Sequence, residues 1–239
     1  LEIQYFLEER TEFIRYFFEV ASRSFLEIHR QIKEGEPPFD NPPHDDGEEP
    51  PFLEDYSDAA DGLNTVGRTA ISMLKQAMED YFHEWEVRLG APRDKGVAGA
   101  FKKGGMFNGY RYHFENVLGT KWSDSGADLD LLEQVVLARN ADQHETRITS
   151  RHANHSKEVM ERFGDKLHFV SDMERKYRER MRAGEEGFED ALPFWLGHLE
   201  VTKDDLVAAT VELEKLVAFL EPRLNEKVYG AAMEFPIKE

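Results

Sequence analysis

Residues 131–145, LLEQVVLARNADQHE, decide how this chain is read. Leu132, Val135 and Val136 recur at the three- and four-residue spacing of an amphipathic helix, and Leu129 carries the pattern back to Asp128, after turn and cap signals at Ser123, Asp124 and Ser125. The apolar pattern stops at Arg139-Asn140, and His144 follows after three more residues. A fixed cation, an amide and a titratable imidazole therefore stand on the last turns of one helix. At about 100° per residue, Asn140 and His144 share a face, and Arg147 and Arg151 continue that line if the helix persists. Arg139 stands about 140° from His144 on the same wheel. A long side chain, a loosened last turn or a second chain has to close that gap.

These groups suit cleavage of RNA by its own 2'-hydroxyl. A base takes the 2'-proton, the oxygen attacks phosphorus, and charge builds on the nonbridging oxygens. Histidine titrates near neutrality and can move the proton. Arginine can hold the phosphate through two donors and stabilise the developing charge. Asparagine can orient either partner, and the chemistry requires no metal or cofactor in principle.

Arg139-Asn140-x-x-x-His144 at a helix end resembles the Arg-x(4–6)-His motif of HEPN domains (higher eukaryotes and prokaryotes nucleotide-binding), in the form with asparagine directly after the arginine. LLEQVVLARNADQH resembles that family's helix leading into the motif, SMLKQAMEDYFHEWEVRL its opening helix, and HLEVTKDDLVAATVELEKLVAFLEPRL its short extended piece, cap and final helix. The likeness covers roughly residues 60–225 in scattered blocks. It implies an all-α helical bundle that pairs as a homodimer, with two motifs forming one cleft. The implied activity is a metal-independent endoribonuclease leaving a 2',3'-cyclic phosphate and a 5'-hydroxyl. His144 would be general acid/base, Arg139 the phosphate and transition-state stabiliser and Asn140 the orienting group, with Arg147 and Arg151 as RNA-backbone contacts. A toxin, defence or RNA-processing role, often restrained by an inhibitory protein partner, belongs to the same implication. The alternative is a catalytically inactive helical module that binds protein or RNA.

Outward from the motif, the chain departs from that pattern in three places. Residues 1–33 read as an extra amphipathic helix with Phe6, Phe13, Phe17, Phe18, Ala21, Phe25, Ile28 and Ile32 in its stripe. Core packing is the plain expectation, and a dimer or partner surface is the alternative. Residues 34–61 carry three Pro-Pro pairs, eleven acids and no Lys or Arg, which reads as an acidic Pro-rich linker or loop, or as a strap shielding a basic surface. A charged helix over 155–182, with Val159, Phe163, Leu167, Val170 and Tyr177 on its apolar side, makes 155–200 an insertion within a helical domain spanning 62–225. Residues 226–239 are left as a tail.

Between these, Val66, Ala70, Leu74, Ala77, Met78, Tyr81, Trp85 and Leu89 predict a helix stopped by Gly90 and Pro92. Residues 96–118 read as one or two short helices interrupted by glycines. Thr202 and Asp205 predict a capped final helix ended by Pro222.

The formal net charge of -18 argues against a general nucleic-acid coat. Residues 139–182 run the other way, with 11 Lys/Arg against 8 Asp/Glu. The chain has no cysteine, which excludes disulfides and thiolate zinc sites and fits a cytoplasmic setting. Glu2, Glu8, Glu9 and Glu12 are wrong for a secretory signal, and no apolar run approaches the ~18 residues of a membrane span. The first residue is not Met, as expected of a sequence that begins inside a longer product. Competing constellations are weaker. His144, His152 and His155 lack a completing zinc ligand. Asp80-x-x-His83 and Asp165-x-x-His168 lack bridging glutamates. AFKKGGMFNG, with Lys102 and Lys103, lacks the Gly-Lys-Ser/Thr order of a phosphate loop. Ser123, Ser125 and Ser150 have no nucleophile-elbow context.

Overall fold

A computed structural model describes residues 2–42, 50–144, 153–184 and 196–230, with His144 described by its backbone alone. Among the described residues the fold is all-α, with seven α-helices and no strand. They are α1 (Glu2–Glu34), α2 (Leu53–Leu89), α3 (Lys95–Leu118), α4 (Leu129–His144), α5 (Lys157–Phe163), α6 (Asp172–Arg182) and α7 (Lys203–Tyr229), with a 3-10 turn at Trp122–Ser125.

The long helix α2 is the axis of the bundle. α1 runs beside it, α7 packs on both, and α4 packs on α2, α7 and α3. Two opposite faces of α2 are used. Met73, Ala77 and Asp80 meet α1, whereas Arg68 meets α4 through Asp142. Arg68 and Met73 are five positions apart, or about 140° on the wheel. One apolar core runs from Ile3 and Ile14 of α1 to Leu224 of α7. At its centre Phe82 stacks within 5.1 Å of Trp122 and 5.3 Å of Tyr110. Phe163, Leu167 and Val170 form a small second cluster against Leu137 of α4.

Several element boundaries differ from sequence expectation, each for a physical reason. Residues 53–61 are the first turns of α2 rather than loop. All the prolines of that stretch precede Leu53, Glu54 and Asp55 suit the positive end of the helix dipole, and Ala59 is buried. The single helix expected over 155–182 is two, because the chain leaves helical geometry at Gly164 and re-enters at Ser171, whose hydroxyl accepts from the Glu174 amide. Pro222 does not end α7, which continues to Tyr229. Arg223 Nη1 donates to the Phe219 carbonyl and Asn225 Nδ2 to that of Glu221, so side chains bind to the carbonyls around the proline. Gly105, at φ 71 and ψ -167, bends α3 into two helical pieces. The Thr202–Asp205 capping box forms as the sequence predicts.

The stripe on α1 is shifted. Ile3, Leu7, Thr11, Ile14, Phe18 and Ser22 are buried, while Phe6 and Phe13 lie more than half exposed, at 57% and 55%. No helix among the described residues is long and apolar enough to cross a membrane.

Candidate functional site

Asp128 sets the start of α4, its Oδ1 accepting from the Leu131 amide at 3.0 Å while its own amide donates to Glu212 of α7 at 2.8 Å. Leu131, Leu132, Val135 and Ala138 then bury the helix against the bundle. Past Ala138 the helix keeps its register through His144, so the last turn is not loosened.

Arg139 and Asn140 are both half-buried, and Arg139 Nη1 donates to Asn140 Oδ1 at 3.4 Å. Among the described residues no carboxylate pairs with Arg139. The nearest in sequence, Asp142, is held by Arg68 of α2, with Nη1 at 2.9 Å from Oδ1. Arg68 is fixed in turn by the Asn64 carbonyl at 3.3 Å and the Thr65 hydroxyl at 3.4 Å. Thus two guanidinium-bearing positions, 68 and 139, flank the end of α4, and one of them lacks a counter-charge within the described structure. Arg68 was not legible as a site residue, because only the packing of α2 on α4 brings it there.

The wheel divides the motif. Position 139 follows the Val135–Asp142 line that meets α2. Position 144 follows the Glu133–Leu137–Asn140 line, which α5 packs against through Arg162 and Phe163. The structure therefore brings Arg139 and Asn140 together and puts position 144 on another line of the same helix. The His144 side chain, Arg147, Arg151, His152 and Ser150 lie outside the described residues.

The net-basic stretch is largely engaged in internal pairs. Arg162 forks onto Glu133 at 2.7 and 2.5 Å, Arg175 onto Asp205 at 2.8 and 2.6 Å, and Arg178 reaches the fully buried Glu174 at 2.6 Å. Arg182 pairs with Asp165 at 3.1 Å. Burial alone would raise the Asp205 carboxyl, but His168, Arg175 and Thr202 outweigh it and hold it below the usual carboxylate range. The pairs with Glu133 and Asp205 fasten the insertion to α4 and α7, and the others tie it together within itself. They leave little of its positive charge for an outside phosphate.

Beside Arg68 lies a cleft of about 430 Å³ between the C-terminal half of α1, the start of α2 and residues 200–203. Asn64, which anchors Arg68, also lines it, together with His29, Tyr56, Glu200 and Lys203. His29 stacks on Tyr56 at 4.2 Å and binds its carbonyl at 2.9 Å. Burial raises the Glu200 carboxyl above its ordinary value, and Asp172 and Asp205 add to that. None of these residues carried a sequence signal beyond its type.

Among the described residues no group of histidines and acids is placed to hold a metal ion. Asp80 pairs with Arg10, Asp165 with Arg182, and His168 faces Asp205 at 3.9 Å, so the two Asp-x-x-His pairs do not converge. His155 is buried with Nε2 at 3.1 Å from the Phe169 carbonyl, and burial lowers its pKa. Lys102 and Lys103 are exposed on α3, and Ser125 closes the 3-10 turn on the Trp122 carbonyl. No protein-family model, curated protein or solved structure matches the chain.

Proposed function

We propose that the chain is a metal-independent endoribonuclease of HEPN type, acting as a homodimer in which Arg139 of one copy works with His144 of the other. One observation carries the proposal: Arg139 stands half-buried at the end of α4 with only Asn140 as a hydrogen-bond partner and no carboxylate partner among the described residues, while Arg68 beside that end and Arg162, Arg175 and Arg178 elsewhere in the fold are all paired. A guanidinium held without a counter-charge is suited to an incoming phosphate. The separation of positions 139 and 144 on one regular helix supports a site shared between chains rather than one closed within a chain.

In the proposed reaction, His144 takes the proton from a ribose 2'-hydroxyl. The 2'-oxygen bonds to phosphorus as the bond to the 5'-oxygen breaks, and the departing oxygen receives a proton. Arg139 stabilises the charge on the nonbridging oxygens and Asn140 holds its guanidinium. The test is incubation with structured RNA in EDTA. Wild type is expected to yield 2',3'-cyclic phosphate ends, and His144→Ala and Arg139→Ala to lose at least 100-fold in rate. Equal cleavage by all three proteins, or none by any, rejects the proposal. Mixing the two inactive variants is expected to restore part of the activity through mixed dimers.

A second reading, a non-catalytic binding module, is favoured by two features: the insertion's basic residues pair internally, and Phe6, Phe13 and Tyr16 of α1 turn outward. An RNA-processing, toxin or defence role, an inhibitory partner and shielding by the acidic loop are proposals that depend on the nuclease reading.

A further inference from the structure

Tyr5, Phe6, Phe13, Tyr16 and Val20 are all exposed on α1, the least at 42% and the most at 63%. They belong to one face. Phe6, Phe13 and Val20 are spaced by seven, with Tyr16 between the last two, and the face points well away from the Ile3–Leu7–Ile14–Phe18 line that enters the core. The stripe extends about 24 Å along the helix. Single exposed aromatics need no explanation, but a continuous row of five does. A groove of about 420 Å³ runs beside it, floored by Ile14, Met73 and Ala77.

The charges along α1 identify the occupant. Glu2, Glu9 and Glu12 are exposed in the first half of α1, whereas of the two arginines in residues 14–26 Arg15 is held by Glu214 of α7 and Arg23 is exposed. A parallel copy would stack acid on acid. An antiparallel copy keeps the acidic half away from itself, with Glu2 beside Arg23. It also sets Phe13 on Phe13 and Phe6 on Val20, so the apolar row complements itself about a twofold axis. We propose that this face of α1 is a self-association surface that pairs two copies of the chain antiparallel, centred on Phe13.

This pairing goes beyond the nuclease reading and does not depend on it. α1 meets α2 at Met73, Ala77 and Asp80 whereas α4 meets it at Arg68, so Arg139 is not part of the α1 seam. The Phe13-centred dimer is thus a different dimer from one that would join Arg139 to His144.

The absence of cysteine gives a clean test. Sedimentation of the wild-type chain at tens of micromolar is expected to show an assembly of twice the mass of the Phe6→Glu/Phe13→Glu double variant, whose helical circular dichroism is unchanged. Under mild oxidation Phe13→Cys is expected to cross-link to itself, as are Phe6→Cys and Val20→Cys when mixed, whereas Phe6→Cys alone is not. A monomeric wild type overturns the proposal, as does a double variant that sediments with the mass of the wild type. Cross-linking of Phe6→Cys alone overturns the antiparallel arrangement. RNA cleavage that persists in the double variant separates this seam from the nuclease site.

Discussion

The two flanks of α2 handle surplus side chains in opposite ways. On the α1 flank the surplus is apolar: the helix has more large hydrophobic residues than the core can cover, and Phe6, Phe13 and Tyr16 remain outside. On the α4 flank the surplus is charge: Glu133, Glu174 and Asp205 are drawn inside and each is met by an arginine from the insertion. Burying an apolar residue needs only neighbours, whereas burying a carboxylate needs a specific partner at bonding distance. The α1 flank is accordingly tolerant of change at its outer face. The α4 flank depends on a few pairs.

The sharpest way to break that contrast is Glu174→Ala. The residue is fully buried and joins Arg178 at 2.6 Å to the Gly197 amide at 2.8 Å, so it ties α6 to the segment leading into α7. Its removal strands both donors and is expected to destabilise by about 3 kcal/mol, the lower end of the range for a broken buried pair, because Arg178 retains some access to water. Urea denaturation measures it. A loss below about 1 kcal/mol would mean that the insertion is held by its small apolar cluster and not by its pairs.

The next comparison sits within α1. Ile14→Ala opens space in the core and is expected to cost about 2–4 kcal/mol, whereas Phe13→Ser one position away is expected to change the unfolding free energy of dilute protein by less than about 0.5 kcal/mol. At higher concentration Phe13→Ser should instead remove any concentration dependence of Tm. Equal losses for the two variants would show that the stripe is not divided between an inner and an outer face.

Much of the bundle was legible because helical periodicity reports burial directly. Val66 through Trp85 of α2, Phe107 through Phe114 of α3 and the Thr202–Asp205 cap all fall where their spacing requires. The α1 register was not, because Phe6 and Phe13 are as apolar as Ile3 and Ile14, and only packing against Met73 and Ala77 chooses between two plausible faces. Residues 53–61 were hidden by composition: acids next to a proline-rich stretch resemble a loop, although acids suit a helix start. Around the motif, sequence placed Arg139 and Asn140 at the end of α4. It could not supply Arg68, nor reveal that Arg162, Arg175 and Arg182 bind Glu133, Asp205 and Asp165, because those partners are far away in the chain.

A smaller effect should separate the flanks by pH. His113 and His155 are both buried, and burial lowers the pKa of each in the folded state. The unfolded chain then takes up their protons first. Their contribution to stability is present above about pH 6.5 and is lost as pH falls through the lowered folded values. Tm is expected to decline between pH 7 and pH 5, above the range where Asp205 and Glu86 protonate. His155→Gln should flatten part of that decline. An unchanged slope in both His155→Gln and His113→Gln would assign the acid sensitivity elsewhere.

The smallest effect tests the cleft between the flanks, where a half-buried carboxylate has no arginine of its own. Glu200 is raised above its ordinary value by burial first, then by Asp172 and Asp205, with Arg175 only partly opposing because it is already bound to Asp205. A raised carboxyl favours the fold below its unfolded value, and that advantage disappears as pH rises through the folded one. At neutral pH the ionised side chain therefore weakens the fold, and Glu200→Gln, which keeps the shape without the charge, is expected to raise Tm slightly at pH 7 and to match wild type below pH 4. A Glu200→Gln protein less stable than wild type at pH 7 would mean that Arg175 serves both carboxylates. Glu200 would then belong with the paired acids of the α4 flank rather than with the open cleft beside Arg68.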